Sequence, residues 1–241
     1  GKKARESVDI LLSALGSKSL PESERFEQVV KVIPNGKRTR FSREVEDNNN
    51  SLAYAIQVGE KDFSLLAKAS IIASIVESDF YTQMRTNQQL GYIVWSFNQR
   101  IEDRIFFRLV IQSSTHGPFE MSKRVNAWLA STESLFSKLT DQEFARHQQS
   151  LIVGLEKEGD SIGAVAGDLY TLATDEEGDF RFKKKLIQAV KDLKKEEVAQ
   201  TAGKIFRDPQ TPRLEVLMRA KGSKEKVPEG VISEVSQFSI H

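Results

Sequence analysis

The stretch MRTNQQLGYIV, residues Met84–Val94, joins the end of a strongly apolar helix to the start of a strand. Upstream of it, Leu65, Ala69, Ile72, Val76, Phe80 and Met84 recur at three- and four-residue spacings, and Ile71 and Ile75 widen the stripe. That periodicity predicts a helix from Asp62, its expected N-cap, to about Thr86, packed on a sheet. Leu90-Gly91 then break it. Downstream, Ile93, Trp95 and Phe97 alternate with Tyr92, Val94 and Ser96, and Phe107, Leu109 and Ile111 alternate with Arg108, Val110 and Gln112. The charged Gln99–Arg104 between them reads as the turn of an antiparallel hairpin.

Outward from this unit, Leu52–Val58 is a near-continuous apolar run and so a central strand. Before it, Arg38–Val45 reads as a polar edge strand, Pro34-Asn35-Gly36 as a turn and Gln28–Ile33 as a further strand. At the start, Val8, Leu11, Leu12 and Leu15 share one face of a short helix over residues 4–15. After the hairpin the pattern is mainly helical. One helix carries Val125, Trp128, Leu129, Leu135 and Leu139, and the next begins at a capping box of Thr140 and Glu143 and reaches about Glu158. Ser161–Leu172, Phe182–Val190 and Lys194–Phe206 follow, then a last strand over Leu214–Met218. The expected fold is α+β: a mainly antiparallel sheet covered by helices on one face. Residues 1–24 are expected to form an N-terminal helix and linker, 25–220 a single α+β domain, and 221–241 a polar, loosely held tail.

With 241 residues, 39% of them hydrophobic, the chain is long enough to bury a real core. Its formal net charge of +1 gives no global electrostatic case for nucleic acid or a membrane surface. The two lysine runs, Lys183–Lys185 and Lys194–Lys195, are flanked by acidic residues without interleaved aromatics, and read as solvated faces. Absence of cysteine removes thiolate nucleophiles, disulfides and cysteine-based zinc sites. No run approaches the ~18–20 apolar residues of a membrane span. Charges interrupt GKKARESVDILLSALG, so it does not read as a signal peptide, and its opening Gly is expected of a piece of a longer chain.

The three histidines, His116, His147 and His241, cannot pair at a helical i, i+4 spacing, and neither H-E-x-x-H nor H-x-x-E-H occurs. His116 and His147 read as surface residues, and no zinc is expected in this chain. A G-x-S-x-G elbow is absent, and Gly159–Gly167 lacks the Lys-Ser/Thr ending of a phosphate loop. Arg85 and Tyr92 remain, seven positions apart across the helix-to-strand junction. From spacing alone two readings stand. In one, Arg85 snorkels from the helix end toward a carboxylate while Tyr92 packs as an amphipathic strand residue. In the other, a cationic fork and a neutral phenol converge to hold a peptide carbonyl and stabilise its oxyanion. Such a pair supplies neither nucleophile nor base, so its chemistry must come from elsewhere.

The words R-T-x-x-Q-L-G-Y-I-V at Arg85–Val94 resemble a signature of the pitrilysin/insulin-degrading-enzyme family of zinc metallopeptidases. Phe80-Tyr81, Trp95–Arg100, Leu109–Ser113 and Thr140–Ser150 extend the resemblance, which covers roughly residues 50–220. It implies the last of four homologous α+β domains, in an enzyme whose halves close around a chamber. The inverted zinc motif and its general-base Glu would then lie in the N-terminal half. Arg85 and Tyr92 match the family's Arg and Tyr that reach the substrate near the zinc. The implied partners are that catalytic half of the same polypeptide and a peptide substrate, without nucleic acid or membrane. The implied cofactor is Zn2+ in the N-terminal half, none in this piece, and the implied compartment is the bacterial periplasm, with the cytoplasm as the alternative. The alternatives are a non-catalytic scaffold or partner-binding module of the same fold and, last, a nucleic-acid-binding domain.

Overall fold

The apolar run at Leu52–Val58 sets the centre of the sheet. In the computed structural model, which describes residues 2–16, 21–24 and 32–234, it lies within β2 (Asn50–Glu60). β1 (Arg38–Glu44), β3 (Ile93–Ile101), β4 (Arg104–Ser113) and β5 (Arg213–Arg219) complete a sheet of order β1-β5-β2-β4-β3. β2 pairs antiparallel with β4 and β5, and β3 antiparallel with β4, while β1 and β5 run parallel. The sheet is therefore mainly antiparallel, with one parallel pair that a chain crossing the whole domain makes possible. The chain separates into two compact units, residues 1–30 and 31–241. The first holds α1 (Lys2–Leu15) and a short 3-10 turn at Glu22–Glu24. The strand expected at Gln28–Ile33 lies mostly outside the described residues.

Register sorts the side chains into rows across the helix-covered face. One row runs Leu217, Leu52, Ile111, Val94; the next runs Glu215, Tyr54, Leu109, Ser96. Leu52, Leu109, Ile111 and Leu217 are fully buried. Against these rows lies α2 (Phe63–Tyr81), N-capped by Asp62, whose carboxylate accepts from the Leu65 N–H at 2.9 Å. Ala69, Ile71, Ile72, Val76 and Phe80 bury its inner face. Burying each of the larger side chains stabilises the fold by about 1.5–3 kcal/mol.

The remaining helices are α3 (Pro118–Ser131), α4 (Glu133–Ser137), α5 (Asp141–Glu156), α6 (Ile162–Thr174), α7 (Phe182–Lys191) and α8 (Lys195–Arg207). The single helix expected through Leu139 breaks at Thr132, whose hydroxyl donates back to the Leu129 carbonyl at 2.7 Å. The capping box forms as expected: the Thr140 hydroxyl accepts from the Glu143 N–H, and the Glu143 carboxylate accepts from the Thr140 N–H. The hairpin strands continue through Gln99–Ile101, which the charge pattern had read as turn. Only Glu102-Asp103 intervene between them, with Glu102 at φ 51°.

The polar segment after residue 220 is held at several points. The Glu225 carboxylate accepts the Phe119 and Glu120 N–H groups, capping the start of α3. Ile232 forms a parallel bridge with Phe41, which covers the outer edge of β1. The described part of this segment supplies backbone pairing on β1 that local composition does not reveal.

Candidate functional site

The site is built at the C-terminal end of α2. After Tyr81 the helix widens into a π-helical turn, Thr82–Asn87, closed by Gln88 N–H donating to the Gln83 carbonyl at 3.1 Å. Gln89 then takes a left-handed conformation, φ 50°, and the Leu90 N–H returns to the Met84 carbonyl at 2.9 Å. Met84 and Leu90 are both fully buried, so the turn is stapled to the core on either side of Arg85. The upstream end is fixed as well. The Trp128 indole N–H donates to Asp79 at 2.7 Å, and its ring meets Phe80 edge-on at 4.8 Å.

Gly91 has a reason beyond the expected sharp exit. A β-carbon there would fall 1.8 Å from the Gln112 carbonyl oxygen, so the backbone passes β4 at a distance only glycine permits. Immediately after it, Tyr92 projects outward, 84% exposed. Arg85 comes to it: the guanidinium donates to the Tyr92 carbonyl and lies 4.6 Å from the centroid of its ring, with the Tyr81 ring 5.6 Å away on another side. Among the described residues Arg85 has no carboxylate partner. The two residues singled out by spacing are thus adjacent, but the guanidinium spends one donor on the backbone beside the phenol rather than sharing a free focus with it. The fork keeps further donors beyond that one.

Around this pair, Tyr81, Trp95 and Phe97 are also exposed. Sequence periodicity assigned Trp95 and Phe97 to the strand without telling which face they take. They lie opposite the helices, across from Val110 and Arg108. Between α2 and the backbone of β3 runs a groove of about 580 Å3, lined by Ser74, Glu77, Ser78, Tyr81 and Val94–Phe97.

His147 is partly buried on α5, with Nδ1 2.8 Å from the Ser74 hydroxyl, and burial holds its pKa below the ordinary histidine value. His116 lies 2.9 Å from the Thr115 hydroxyl. Among the described residues no group of three or more His, Asp or Glu side chains could hold a metal ion. The donor set here does not fit zinc, and the arrangement at Arg85 and Tyr92 offers charge and hydrogen-bond donors only.

Comparison with known proteins agrees with this architecture. The family model described as "PQQ synthase PqqF-like, C-terminal lobe domain 4" matches residues 71–169. The Nardilysin-like protein of Arabidopsis thaliana is 27% identical over 220 residues, 86% of this chain and 21% of that protein. Insulin-degrading enzyme-like 2 of the same plant is 35% identical over 114 residues, 46% of this chain and 12% of that protein. Protease 3 of Escherichia coli K12 is 25% identical over 198 residues, 80% of this chain and 20% of that protein. The chain thus spans 12–21% of the length of these relatives. The crystal structure of pitrilysin has the same fold, with a TM-score of 0.78 over 95% of this chain and 25% of that one, at 24% identity. These likenesses support a C-terminal domain of the kind that peptidases of the pitrilysin/insulin-degrading-enzyme family carry.

Proposed function

We propose that this domain forms a substrate-facing wall of a zinc metalloendopeptidase, whose zinc and general base lie in the N-terminal half of the same polypeptide. The observation that carries the reading is the pairing of Arg85 with Tyr92 at an exposed junction anchored by buried Met84 and Leu90. A guanidinium is a fixed positive charge with a fork of donors, and a phenol is a neutral donor. When water adds to a peptide carbonyl, charge gathers on its oxygen, and donors already aimed there lower the barrier. Arg85 keeps donors beyond the one used on the Tyr92 carbonyl, and the Tyr92 hydroxyl stands in the open. Neither group is a base, so the domain alone is inactive in this proposal. A periplasmic setting belongs to it too, supported by the cysteine-free sequence.

A second reading makes the domain a non-catalytic scaffold of the same fold. The contact that favours it is Arg85 itself, since its bond to the Tyr92 carbonyl and its stacking give it a structural duty.

The test is cleavage of a quenched fluorescent peptide with zinc present, by the domain alone, with the separately produced N-terminal half, and with Arg85→Ala or Tyr92→Phe in that mixture. Activity only in the mixture, cut about tenfold or more by either substitution (about 1.4 kcal/mol of barrier), supports the donor role. Full activity with both donors removed leaves the scaffold reading. Cleavage by the domain alone overturns both.

A further inference from the structure

β3 ends the sheet. It pairs with β4 on one side, and on the other its backbone borders the groove. An unpaired strand edge presents alternate N–H and C=O groups outward, a template for another strand. At the opposite edge of the sheet Ile232 bridges Phe41 on β1, whereas among the described residues no strand pairs with the free edge of β3.

The floor beside that edge is one face of α2. Ser74, Glu77, Ser78 and Tyr81 stand at i, i+3, i+4 and i+7, and all line the groove. α2 and β3 run in opposite directions, because the Asn98 amide donates to the Ser70 hydroxyl at 3.0 Å at one end, while Arg85 bridges the Tyr81 and Tyr92 rings at the other. Seven residues of helix cover about 10 Å, the reach of about three residues of extended chain. The length of the groove suits a short extended segment.

Two polar features address an occupant. Ser96 is 9% exposed, and its buried hydroxyl has no hydrogen-bond partner among the described residues, at the wall of the groove. A buried hydroxyl left unpaired costs about 1–3 kcal/mol, which a polar group entering the groove relieves. Glu77 is exposed on the floor and makes no ion pair among the described residues, so it favours a basic side chain.

We infer that β3 accepts an extended peptide as an added strand, seated on the Ser74–Tyr81 face of α2, with a basic side chain at Glu77. The strand leaves the groove at the Tyr81 end, where Arg85 and Tyr92 stand, so docking on β3 positions the peptide for them. This rests on the reading of the domain as a peptide-handling wall and adds a binding subsite to it.

The experiment titrates the full 241-residue chain against a fluorescein-labelled peptide of about ten residues, alternating Thr and Val with a central Lys, and reads anisotropy. Two further peptides carry backbone N-methyl groups on alternate residues, in one phase or the other. Strand addition predicts that one phase abolishes binding and the other leaves it intact. Glu77→Lys should weaken binding at least tenfold with an unchanged melting curve, and Ser96→Ala about threefold with a melting temperature no lower than that of the parent chain. Leu169→Ser, exposed on α6 and outside the groove, should bind within about twofold of the parent chain. Binding indifferent to methylation phase but lost in Arg85→Ala overturns the edge site and leaves the donor reading standing. No binding at peptide concentrations up to about 1 mM also overturns the edge site, while the cleavage test above decides the donor role on its own.

Discussion

α2 and α6 are both rich in small and aliphatic residues, and the fold treats them in opposite ways. α2 buries eight residues, among them Ile71, Ile72, Val76 and Phe80. α6, ending in Thr174, buries none, and leaves Ile162 91% and Tyr170 71% exposed. What fixes the end of α6 is electrostatic: buried Glu176, just past it, receives Lys61 at 2.8 Å and Arg100 at 2.5 Å. Apolar sequence states a preference for burial, and the sheet rows decide which helix obtains it. α2 fits because β2, β3 and β4 place matching rows beneath it, whereas α6 is joined through the turn that carries Glu176.

The sharpest way to break this comparison is to remove one side chain from each helix. Ile72→Ala opens a cavity under α2 and should lower unfolding free energy by about 2–5 kcal/mol, read from urea melts. If it matches a surface substitution instead, α2 is not the core helix described here. Next in size is the tether. Glu176→Ala leaves Lys61 and Arg100 without their shared carboxylate, partly open to water, and should cost about 1–3 kcal/mol. Amide exchange should quicken first in residues 162–174 and at the hairpin end, residues 100–103. Exchange spread evenly over the domain would show that Glu176 does not hold α6 in particular.

Smaller is the titration of His147, which packs on α2 through Ser74 with Glu143 and Arg146 beside it. Its folded pKa is depressed by burial. The unfolded chain therefore binds the proton more readily, and stability falls as pH drops below about 6.5 toward the lower folded value. His147→Gln should flatten that part of the stability–pH curve, and an unchanged slope would mean the ring is solvated. Smallest of all is Leu169→Ser on α6, expected within about 0.5 kcal/mol of the parent chain. A loss comparable to Ile72→Ala would erase the distinction between the two helices.

Much of the frame was legible where the signal is local. The Asp62 cap, the α2 stripe, the Thr140–Glu143 box and the continuous run of β2 each lie within a few neighbouring residues, and each forms. What sequence reading missed depends on partners far along the chain. Glu215 looks like an outward strand residue, yet it is fully buried because Arg38, Arg40 and Ser122 converge on it from β1 and α3. Gly91 reads as a turn glycine until Gln112 is seen against it. At the candidate site, the identity and spacing of Arg85 and Tyr92 were visible. The π turn that lets the arginine reach the tyrosine carbonyl was not, since no residue type marks it.

The short bridge from Ile232 to Phe41 bears on how many molecules can assemble. A sheet with two bare edges is a monomer for polymerisation, because each added strand exposes a fresh edge for the next copy. Here the chain itself stops one end, so the sheet has a valence of one. Two copies that meet through β3 use up their free edges, so growth ends with a pair rather than a fibre.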